Sequence, residues 1–389
     1  MSNRKAAGLQ GRSPEYSPAY LNNAATTFPK PPGVIQAVAD CLGSLPQENG
    51  RSNYETGETV QDQCRKNLGL LLGVSDHRRI FFTSGATEAA NLVFRGLALQ
   101  GRHIVITASE HNSVLRPLYN LYGEKHITMV PCGRDGLVSP GAVQAALRHD
   151  TACVVVNHCS NVTGAVQDIA AIGAIARRGG ALFAVDAAQS AGAMPVQGDS
   201  CSADILIFTG HKALFGPAGT GGFFVREGVP LVPVKFGGTG TEPGNMAPSG
   251  PGAFEPGTPN IPGIAGLNAG ASFILDLGLD EVRRLTGERF MRLREGLLNI
   301  KGLSLYGPPG DSGGIISFTV NGLSPSDVGY ILQEGYNIAV RTGYHCAPYI
   351  MDHIGAPRGT IRASVSALTP EDHVDRLVAA VREIAYADN

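Results

Sequence analysis

The sequence lacks the features that mark nucleic-acid-binding and membrane proteins. Its 31 Lys and Arg residues stand against 33 Asp and Glu residues, so the formal net charge is only −2. A nearly neutral chain offers no basic surface to nucleic acid or to an acidic membrane. No apolar run reaches the roughly 18 residues that a membrane-spanning helix needs. We therefore expect neither nucleic acid nor a membrane among the partners of this protein.

Cysteine is also scarce, and its spacing excludes two common uses. The chain has seven cysteines, an odd number, and none of them forms a Cys-x-x-Cys pair. Neither a zinc site nor a thioredoxin-like motif is indicated, and we expect no metal. We expect six of the cysteines to be small buried side chains or inert thiols, and Cys346 to be different for the reasons given below.

The first twenty residues are polar and rich in Ser, Pro and Gly, and they lack the apolar segment of a secretory signal. We expect residues 1–20 to form a loose N-terminal arm. By default, a chain without such a signal is expected in the cytoplasm.

The remaining chain is long enough for two domains, with 43% hydrophobic residues in a total of 389. Short apolar runs alternate with helical patterns, which is typical of βαβ units and a mainly parallel sheet. Seven such strands are predicted, at 79–83, 103–107, 127–131, 152–157, 181–186, 204–209 and 222–225. Later strands, at 314–320, 337–341 and 360–364, mix with helices. We expect an α/β fold, with a large domain over 21–262 and a smaller α+β domain over 263–389.

Residues 237–263 interrupt the pattern with eight glycines and six prolines in 27 residues. A structureless loop of that length inside a compact chain is usually functional or disordered.

A single lysine, Lys212, follows the predicted strand at 204–209. Open α/β sheets bind their ligands beyond the carboxyl ends of parallel strands. There a desolvated amine can form a Schiff base with an aldehyde, and the aldehyde we expect is pyridoxal 5′-phosphate (PLP). Taken alone, Lys212 is more readily explained as a solvated loop residue, and the groups at other strand ends reverse that preference.

Other strand ends supply groups that PLP needs. Residues 82–88 are predicted to form the end of a strand, a glycine-containing turn and the start of a helix. The free N–H groups at a helix N-terminus can bind a phosphate, and Thr87 adds a hydroxyl. Asp186 ends an apolar strand and suits the protonated ring nitrogen. Gln189 or Asn161 suits the phenolic oxygen of the ring, and His111 suits its face. Each of these features also has a purely structural explanation. The segment 82–88 could be a common Ser-Gly turn and Asp186 a helix N-cap. Asn161 could be a turn residue and His111 a polar residue at a helix start.

The motifs carrying these residues occur in one order along the chain. They are Asn-Asn-Ala-Ala-Thr-Thr at 22–27, Thr-Ser-Gly-Ala-Thr-Glu-Ala at 83–89, Ser-Glu-His at 109–111, Ser-Asn-Val-Thr-Gly at 160–164, Val-Asp-Ala-Ala-Gln at 185–189, Thr-Gly-His-Lys at 209–212 and Glu-Pro-Gly-Thr-Pro-Asn at 255–260. Together they resemble the class V aminotransferase family of fold-type I PLP enzymes, and within it the cysteine desulfurases. The resemblance runs from about Tyr20 to the end of the chain.

The resemblance implies a role for each site residue. Lys212 would bind PLP covalently, Asp186 would pair with the ring nitrogen and His111 would stack on the ring. Asn161 and Gln189 would contact the ring oxygen. The phosphate would be held by residues at two strand ends: Ala86, Thr87, Thr209 and His211. Thr258 would reach the phosphate of a second subunit, which makes a homodimer the expected assembly.

The C-terminal region narrows the reaction that the resemblance implies. Arg-Thr-Gly-Tyr-His-Cys-Ala-Pro at 341–348 resembles the signature of the second group of desulfurases, which includes selenocysteine lyases. Arg362 resembles the arginine of the family that binds the substrate carboxylate, a role that suits a planar guanidinium. Its alternative is an exposed strand arginine. Arg341, Asn23 and Ala24 would complete the substrate site.

Four positions depart from the usual pattern of the family. Asn22 stands where aspartate is usual, and Ala86 stands where many members have threonine. Tyr344 replaces the first of two histidines, and Ala-Leu-Thr at 367–369 replaces an aromatic-Asn-Thr sequence. We expect the last two departures to border the substrate pocket.

We expect a cysteine desulfurase that converts L-cysteine into L-alanine and leaves a persulfide on Cys346. Lys212 would remove the α-proton, and His345 would favour the thiolate of its neighbour. The sulfur would then pass to an acceptor protein. Three alternatives stay open: a selenocysteine lyase acting on L-selenocysteine, another class V transaminase or lyase, and a non-enzymatic scaffold.

Overall fold

The structure, a computed structural model, describes residues 18–45, 57–238, 244–310 and 312–387. The strands of this part are β1 (Ala19–Tyr20), β2 (Ile80–Thr83), β3 (His103–Thr107), β4 (Ile127–Val130), β5 (Thr151–Asn157), β6 (Leu182–Asp186), β7 (Ile205–Thr209), β8 (Gly221–Val225), β9 (Leu303–Tyr306), β10 (Ile315–Val320), β11 (Ile338–Ala339), β12 (Arg341–Gly343) and β13 (Thr360–Ser364). Its α-helices are α1 (Pro32–Gly43), α2 (Val60–Leu72), α3 (Ala86–Gly96), α4 (Asn112–Tyr122), α5 (Pro140–Ala146), α6 (Ile169–Arg178), α7 (Pro251–Phe254), α8 (Ile261–Leu277), α9 (Leu279–Leu298), α10 (Pro325–Tyr336), α11 (Ile350–Ile354) and α12 (Glu371–Ala387).

Seven strands form the central sheet, in the order β2-β8-β7-β6-β5-β3-β4. The strands from β7 to β4 are parallel, whereas β8 runs antiparallel to both β2 and β7. The predicted α/β fold with a mostly parallel seven-stranded sheet is therefore confirmed. The parallel strands bring the ends of β3, β5, β6 and β7, and the polar residues that follow them, to one edge of the sheet.

The sheet is buried on both faces because its strands carry apolar side chains on both. In β5, Val154 and Val156 pack into one core, whereas Cys153 and Val155 pack into another. This alternation is the period of a β-strand. The first core is completed by helices such as α2, α6 and α8, and the second by α3 and α4. The result is a three-layer arrangement.

The C-terminal part contains a four-stranded antiparallel sheet in the order β12-β13-β10-β9. Side chains of this sheet, α9, α10 and α12 form a third core. Ala19 and Leu21 also belong to this core, and β1 pairs in parallel with β11. Ala19 and Tyr20 are therefore part of the fold rather than of the expected arm, whereas residues 1–17 lie outside the described residues.

Several elements differ from the sequence prediction. The predicted strand at 337–341 is two strands, β11 and β12, which pair in different sheets. The glycine- and proline-rich segment contains α7, and α8 begins inside it at Ile261 because the Asn260 side chain accepts a hydrogen bond from the Gly263 N–H (3.1 Å). The short elements β9 and α11 were not predicted.

Among the described residues, no single helix is long and apolar enough to cross a membrane. The pair α8 and α9 meets the criteria of length and composition only when the two are taken together, across a bend of 87°.

Candidate active site

A cavity of about 350 Å³ lies at the edge of the sheet where the parallel strands end. Twelve of the fifteen predicted site residues line it: Ala24, Ala86, Thr87, His111, Asn161, Asp186, Gln189, Thr209, His211, Lys212, Arg341 and Arg362. The remaining three, Asn23, Thr258 and Cys346, line neighbouring cavities.

Lys212 follows β7 and reaches into the cavity. Burial lowers the pKa of its amine to about 8, and the charges of Arg362 and Arg341 act in the same direction. The carboxylate of Asp186 opposes the shift. A substantial fraction of Lys212 is therefore a neutral amine near pH 8, which is the form that attacks an aldehyde.

The backbone before Lys212 is held by an unusual set of donors. The carbonyl oxygen of His211 accepts from the backbone N–H of Thr27 at 3.0 Å, and the Thr27 hydroxyl donates to the Lys212 carbonyl at 2.8 Å. The Thr26 hydroxyl and the Lys30 ammonium donate to the His211 oxygen at 3.0 and 2.9 Å. Sequence analysis missed these three residues, although Thr26 and Thr27 belong to the motif at 22–27.

Asp186 ends β6 and is 2% exposed. Burial raises the pKa of its carboxyl group, whereas the backbone N–H of Ala188 (2.9 Å to Oδ1) and the charge of Lys212 lower it. A cationic partner, such as a protonated ring nitrogen, would stabilise the charged form of Asp186 against its burial.

A second carboxyl group, Glu110, lies beneath the site and was not predicted. It is fully buried, and its Oε1 accepts from the Thr107 hydroxyl (2.7 Å) and the Asn157 N–H (2.8 Å). Burial, assisted by the charge of Asp186, raises the pKa of Glu110 to about 8. Glu110 therefore holds a proton at neutral pH. The Ser-Glu-His motif contained this residue, but its position does not reveal its burial.

His111 is the N-cap of α4. Its Nδ1 accepts a hydrogen bond from the Ser113 N–H (3.0 Å), so the ring proton is assigned to Nε2. Burial, followed by the charges of Lys212 and Arg341, lowers the pKa of His111 to about 4. The ring is thus a neutral, flat surface in the cavity wall, which is what stacking on a pyridine requires.

The N-terminus of α3 supplies the anion-binding end of the cavity. Ala86 and Thr87 begin this helix, whose first N–H groups have no partner within it. The N-cap, Gly85, has a φ of 152°, and a Cβ on the adjacent Gly221 would lie 2.6 Å from the Gly85 Cα. Glycine is therefore required where β8 approaches the turn. Ala86 contributes no hydroxyl, so Thr87 and Thr209 carry the hydroxyl groups there.

Arg362 is 0% exposed and lies on β13. Its Nη1 donates to the Asn161 carbonyl (2.8 Å) and its Nη2 to Asn22 Oδ1 (3.1 Å), whereas Nε has no partner. Burial, followed by the charge of Arg341, lowers its pKa. Because no carboxylate among the described residues forms an ion pair with Arg362, this buried cation is suited to an anionic ligand. The alternative of an exposed strand arginine is wrong.

Cys346 lies in an adjoining groove that shares His111 and Thr87 with the main cavity. Its backbone is fixed, because its carbonyl accepts a hydrogen bond from the Asn112 N–H (2.7 Å) and its φ is 62°. The Sγ atom lies 3.1 Å from Nη2 of Arg341, which lines the main cavity. Arg341 thus connects the thiol with the site of Lys212.

The expected role of His345 is wrong. This side chain is buried, and its Nε2 lies 2.8 Å from the Thr360 hydroxyl. Burial and the charges of Arg362 and Arg341 lower its pKa to about 2, so it stays neutral. The cation beside Cys346 is Arg341. Four residues separate the two in the sequence, and this spacing alone does not predict that their side chains are in contact.

Three predicted features lie away from the cavity. Asn23 donates to the Ser364 carbonyl (2.9 Å) and lines a small separate cavity with Ala367. Tyr344 is 51% exposed and donates to the Pro357 carbonyl (2.9 Å). Neither Tyr344 nor residues 367–369 line the main cavity, although the cavity of Ala367 shares Ala24 and Gln189 with it, so their expected place at the border of the substrate pocket stays a prediction.

The other cysteines agree with the prediction of inert thiols. Cys41 is partly exposed, and the remaining five are buried. Burial raises the pKa values of four of these buried thiols: Cys64, Cys132, Cys153 and Cys201. Within the described ranges, no group of three or more His, Cys, Asp or Glu side chains could hold a metal ion.

The residues present fit PLP. The cavity offers an amine with a lowered pKa, a buried carboxylate and a helix N-terminus. Asn161 Oδ1 is also buried without a hydrogen-bond partner, so it is available to a ligand. An amine, an acid and an anion site in one cavity are the groups that an aldehyde, a pyridine nitrogen and a phosphate need.

Comparison with known proteins identifies the family of this chain. The model of the family described as aminotransferase class-V matches residues 19–377. The chain belongs to this family. A probable cysteine desulfurase from Methanothermobacter thermautotrophicus is 35% identical over 381 residues, covering 94% of each chain.

Solved structures of class V relatives have the same fold. The apo structure of a cysteine desulfurase from Thermococcus onnurineus NA1 has a TM-score of 0.81 and 31% identity, covering 95% of this chain and 94% of that one. A C-DES lysine variant with glycine covalently linked to its PLP cofactor has a TM-score of 0.80 and 26% identity, with 95% and 97% covered. The family predicted from the motifs is therefore confirmed.

Proposed function

We propose that this protein is a PLP-dependent cysteine desulfurase, which converts L-cysteine into L-alanine and transfers the sulfur to Cys346. The 3.1 Å contact between Arg341 Nη2 and Cys346 Sγ carries the proposal. It places the Cys346 thiol against a cation that also lines the cavity of Lys212. A transaminase of the same family has no use for such a thiol.

The chain supplies each group that PLP would need. Lys212 would bind its aldehyde, Asp186 its ring nitrogen, His111 the ring face, and the N-terminus of α3 its phosphate. Asn161 and Gln189 would contact the ring oxygen. When bound, PLP withdraws electrons from the α-carbon of an attached amino acid.

The substrate would be handled by three side chains. Arg362 would bind the carboxylate through its unpartnered Nε and one Nη. Lys212, as a neutral amine, would take the α-proton and later return a proton to the same carbon skeleton. The Cys346 thiolate would form a bond to the substrate sulfur as the carbon–sulfur bond breaks. Thiol and L-cysteine thus give persulfide and L-alanine, with no external oxidant or reductant.

Assembly and sulfur delivery belong to the same proposal. Thr258 lines a second cavity of about 280 Å³ that shares Ser84, Glu88 and Gly219 with the main one. The segment is thus near the phosphate end, and we propose that Thr258 contacts the phosphate of a second subunit in a homodimer. The persulfide on the half-exposed Cys346 would pass to an acceptor protein.

A second candidate substrate is L-selenocysteine. Arg341 and Arg362 line the cavity, and neither forms an ion pair with a carboxylate in the described part of the chain. Two such cations favour a substrate whose side chain is anionic, and a selenol ionises more readily than a thiol.

Alanine release from L-cysteine and L-selenocysteine, measured side by side with purified PLP-loaded protein, tests the proposal. A desulfurase releases alanine from cysteine without any keto acid. Turnover of selenocysteine alone would favour the lyase instead. Formation of pyridoxamine phosphate from an amino acid, reversed by a keto acid and without alanine release from either substrate, would contradict both candidates and indicate a transaminase.

A further inference from the structure

The guanidinium of Arg362 is buried without an internal counter-ion. In the part of the chain that the structure describes, its contacts are a backbone carbonyl, that of Asn161, and a neutral amide oxygen, Asn22 Oδ1. Its Nε atom has no partner. Burying a charge without a counter-ion costs free energy and lowers the stability of the folded protein. An anionic ligand at Arg362 would relieve this cost.

Asn22 is fixed in place by its backbone. It forms a parallel bridge with Ser364, two residues beyond Arg362, and its carbonyl accepts from the Ala25 N–H (3.0 Å). The side chain therefore reaches Arg362 from a rigid position. Aspartate has the same shape as asparagine and would place a carboxylate oxygen against Nη2 at this position.

We propose that Asn22 sets the affinity of the site for the substrate carboxylate by leaving the charge of Arg362 unneutralised. The inference rests on the proposed function, in which Arg362 binds the carboxylate. Asn22 is a positioning residue, since it acts through Arg362 and does not line the main cavity.

The physical reason is the difference between a neutral and a charged acceptor. An amide oxygen holds the guanidinium in orientation but leaves its charge to the ligand. A carboxylate at the same position would pair with the guanidinium before the substrate arrives and would repel the incoming carboxylate. The same pairing would remove the unfavourable burial of an unpaired charge from the free enzyme.

The substitution Asn22→Asp therefore has two opposite expected effects. The melting temperature of the protein rises, because the buried cation gains a counter-ion. The affinity for an amino acid falls about tenfold, the difference between hydrogen bonds to neutral and to charged groups. A residue with a merely structural role would move stability and binding in the same direction.

A comparison of two ligands separates the contribution of the substrate carboxylate to binding from that of the rest of the substrate. L-alanine, the product, and ethylamine, which is alanine without its carboxylate, are titrated into the PLP-loaded enzyme and followed by the change in cofactor absorbance. Asn22→Asp is expected to weaken L-alanine binding about tenfold and to leave ethylamine binding unchanged.

Two control variants complete the test. Asn22→Ala removes the amide without adding charge, so the guanidinium loses an orienting contact but keeps its charge, and L-alanine binding weakens less than in Asn22→Asp. Asn321→Asp adds the same charge at an exposed turn, so neither ligand is affected.

Four results would overturn the inference: unchanged L-alanine binding in Asn22→Asp, an equal loss of ethylamine binding, an Asn22→Ala variant that behaves like Asn22→Asp, or an Asn22→Asp variant that is less stable or does not fold. Failure of the proposed function is distinct. An enzyme that binds L-alanine with this pattern but releases none from cysteine or selenocysteine refutes the desulfurase and supports the role of Asn22.

Discussion

The pKa values of individual side chains in this site depend on burial more than on the neighbouring residues in the sequence. Lys212, His111 and Glu110 all have pKa values moved toward the neutral form, and desolvation is the first cause in each case. Burial also raises the pKa of Asp186, and the charge of Lys212 opposes that shift. The motifs identified the residue types, but only the packing shows which of them keep their charge.

Replacing Lys212 with alanine is expected to remove the covalent link to PLP and to abolish turnover, because no other amine lines the cavity in the described part of the chain. Borohydride reduction followed by peptide mass spectrometry would find PLP on the Lys212 peptide of the unmodified protein. Lys125→Ala, at an exposed position, is the matched control and should keep the modification. A reducible link that persists in Lys212→Ala would place the cofactor elsewhere.

At the scale of elements, apolar runs predicted the strands of the central sheet because both faces of those strands are buried. The C-terminal strands were harder to predict. Strands β11 and β12 are separated by one residue, Val340, and belong to different sheets, a distinction that depends on the distant partners β1 and β13. Likewise, Arg362 was placed on its strand correctly, but its contact with Asn22, 340 residues away, has no local signal.

The segment that carries Thr258 is anchored by a buried ion pair. Glu255 accepts from Arg65 Nη2 (2.6 Å) and from the Phe82 N–H (2.5 Å). We expect Glu255→Ala to lower the free energy of unfolding by about 3 kcal/mol, because the only ion pair left to the buried Arg65 among the described residues would be the 3.3 Å contact with the exposed Asp62. Glu281→Ala breaks an exposed pair with Arg284 and should have little effect. Denaturant unfolding compares the two, and equal small changes would show that the pair is not an anchor.

At the scale of the whole molecule, the site lies where the central sheet, the segment at 22–27 and the four-stranded sheet meet. Lys212 and Asp186 come from the first, the His211 donors Thr26 and Thr27 from the second, and Arg341 and Arg362 from the third. Lys212 and Asp186 could be predicted from the sequence because each follows or ends a predicted strand. The other two groups needed the tertiary structure, since no periodicity specifies how separate sheets pack.

Buried Glu110 gives the stability of the whole protein a definite pH dependence. Its pKa is about 8 in the folded protein against 4.5 for the free group, so the folded state binds more protons between these values. Stability contributed by this group is therefore present below pH 4.5 and is lost as the pH rises toward 8. Glu110→Gln should lessen the fall in melting temperature over this window. A variant with the same pH profile as the unmodified protein would show that Glu110 ionises normally.

The central claim is that substrate sulfur is transferred to Cys346, and mass spectrometry of the protein after incubation with L-cysteine tests it most directly. We expect one added sulfur atom on the peptide that contains Cys346. We expect Cys346→Ser to retain PLP and to bind L-cysteine while releasing no alanine from it, because the nucleophile next to Arg341 is lost. Sulfur on a different cysteine, or desulfuration by Cys346→Ser at the unmodified rate, would contradict the account.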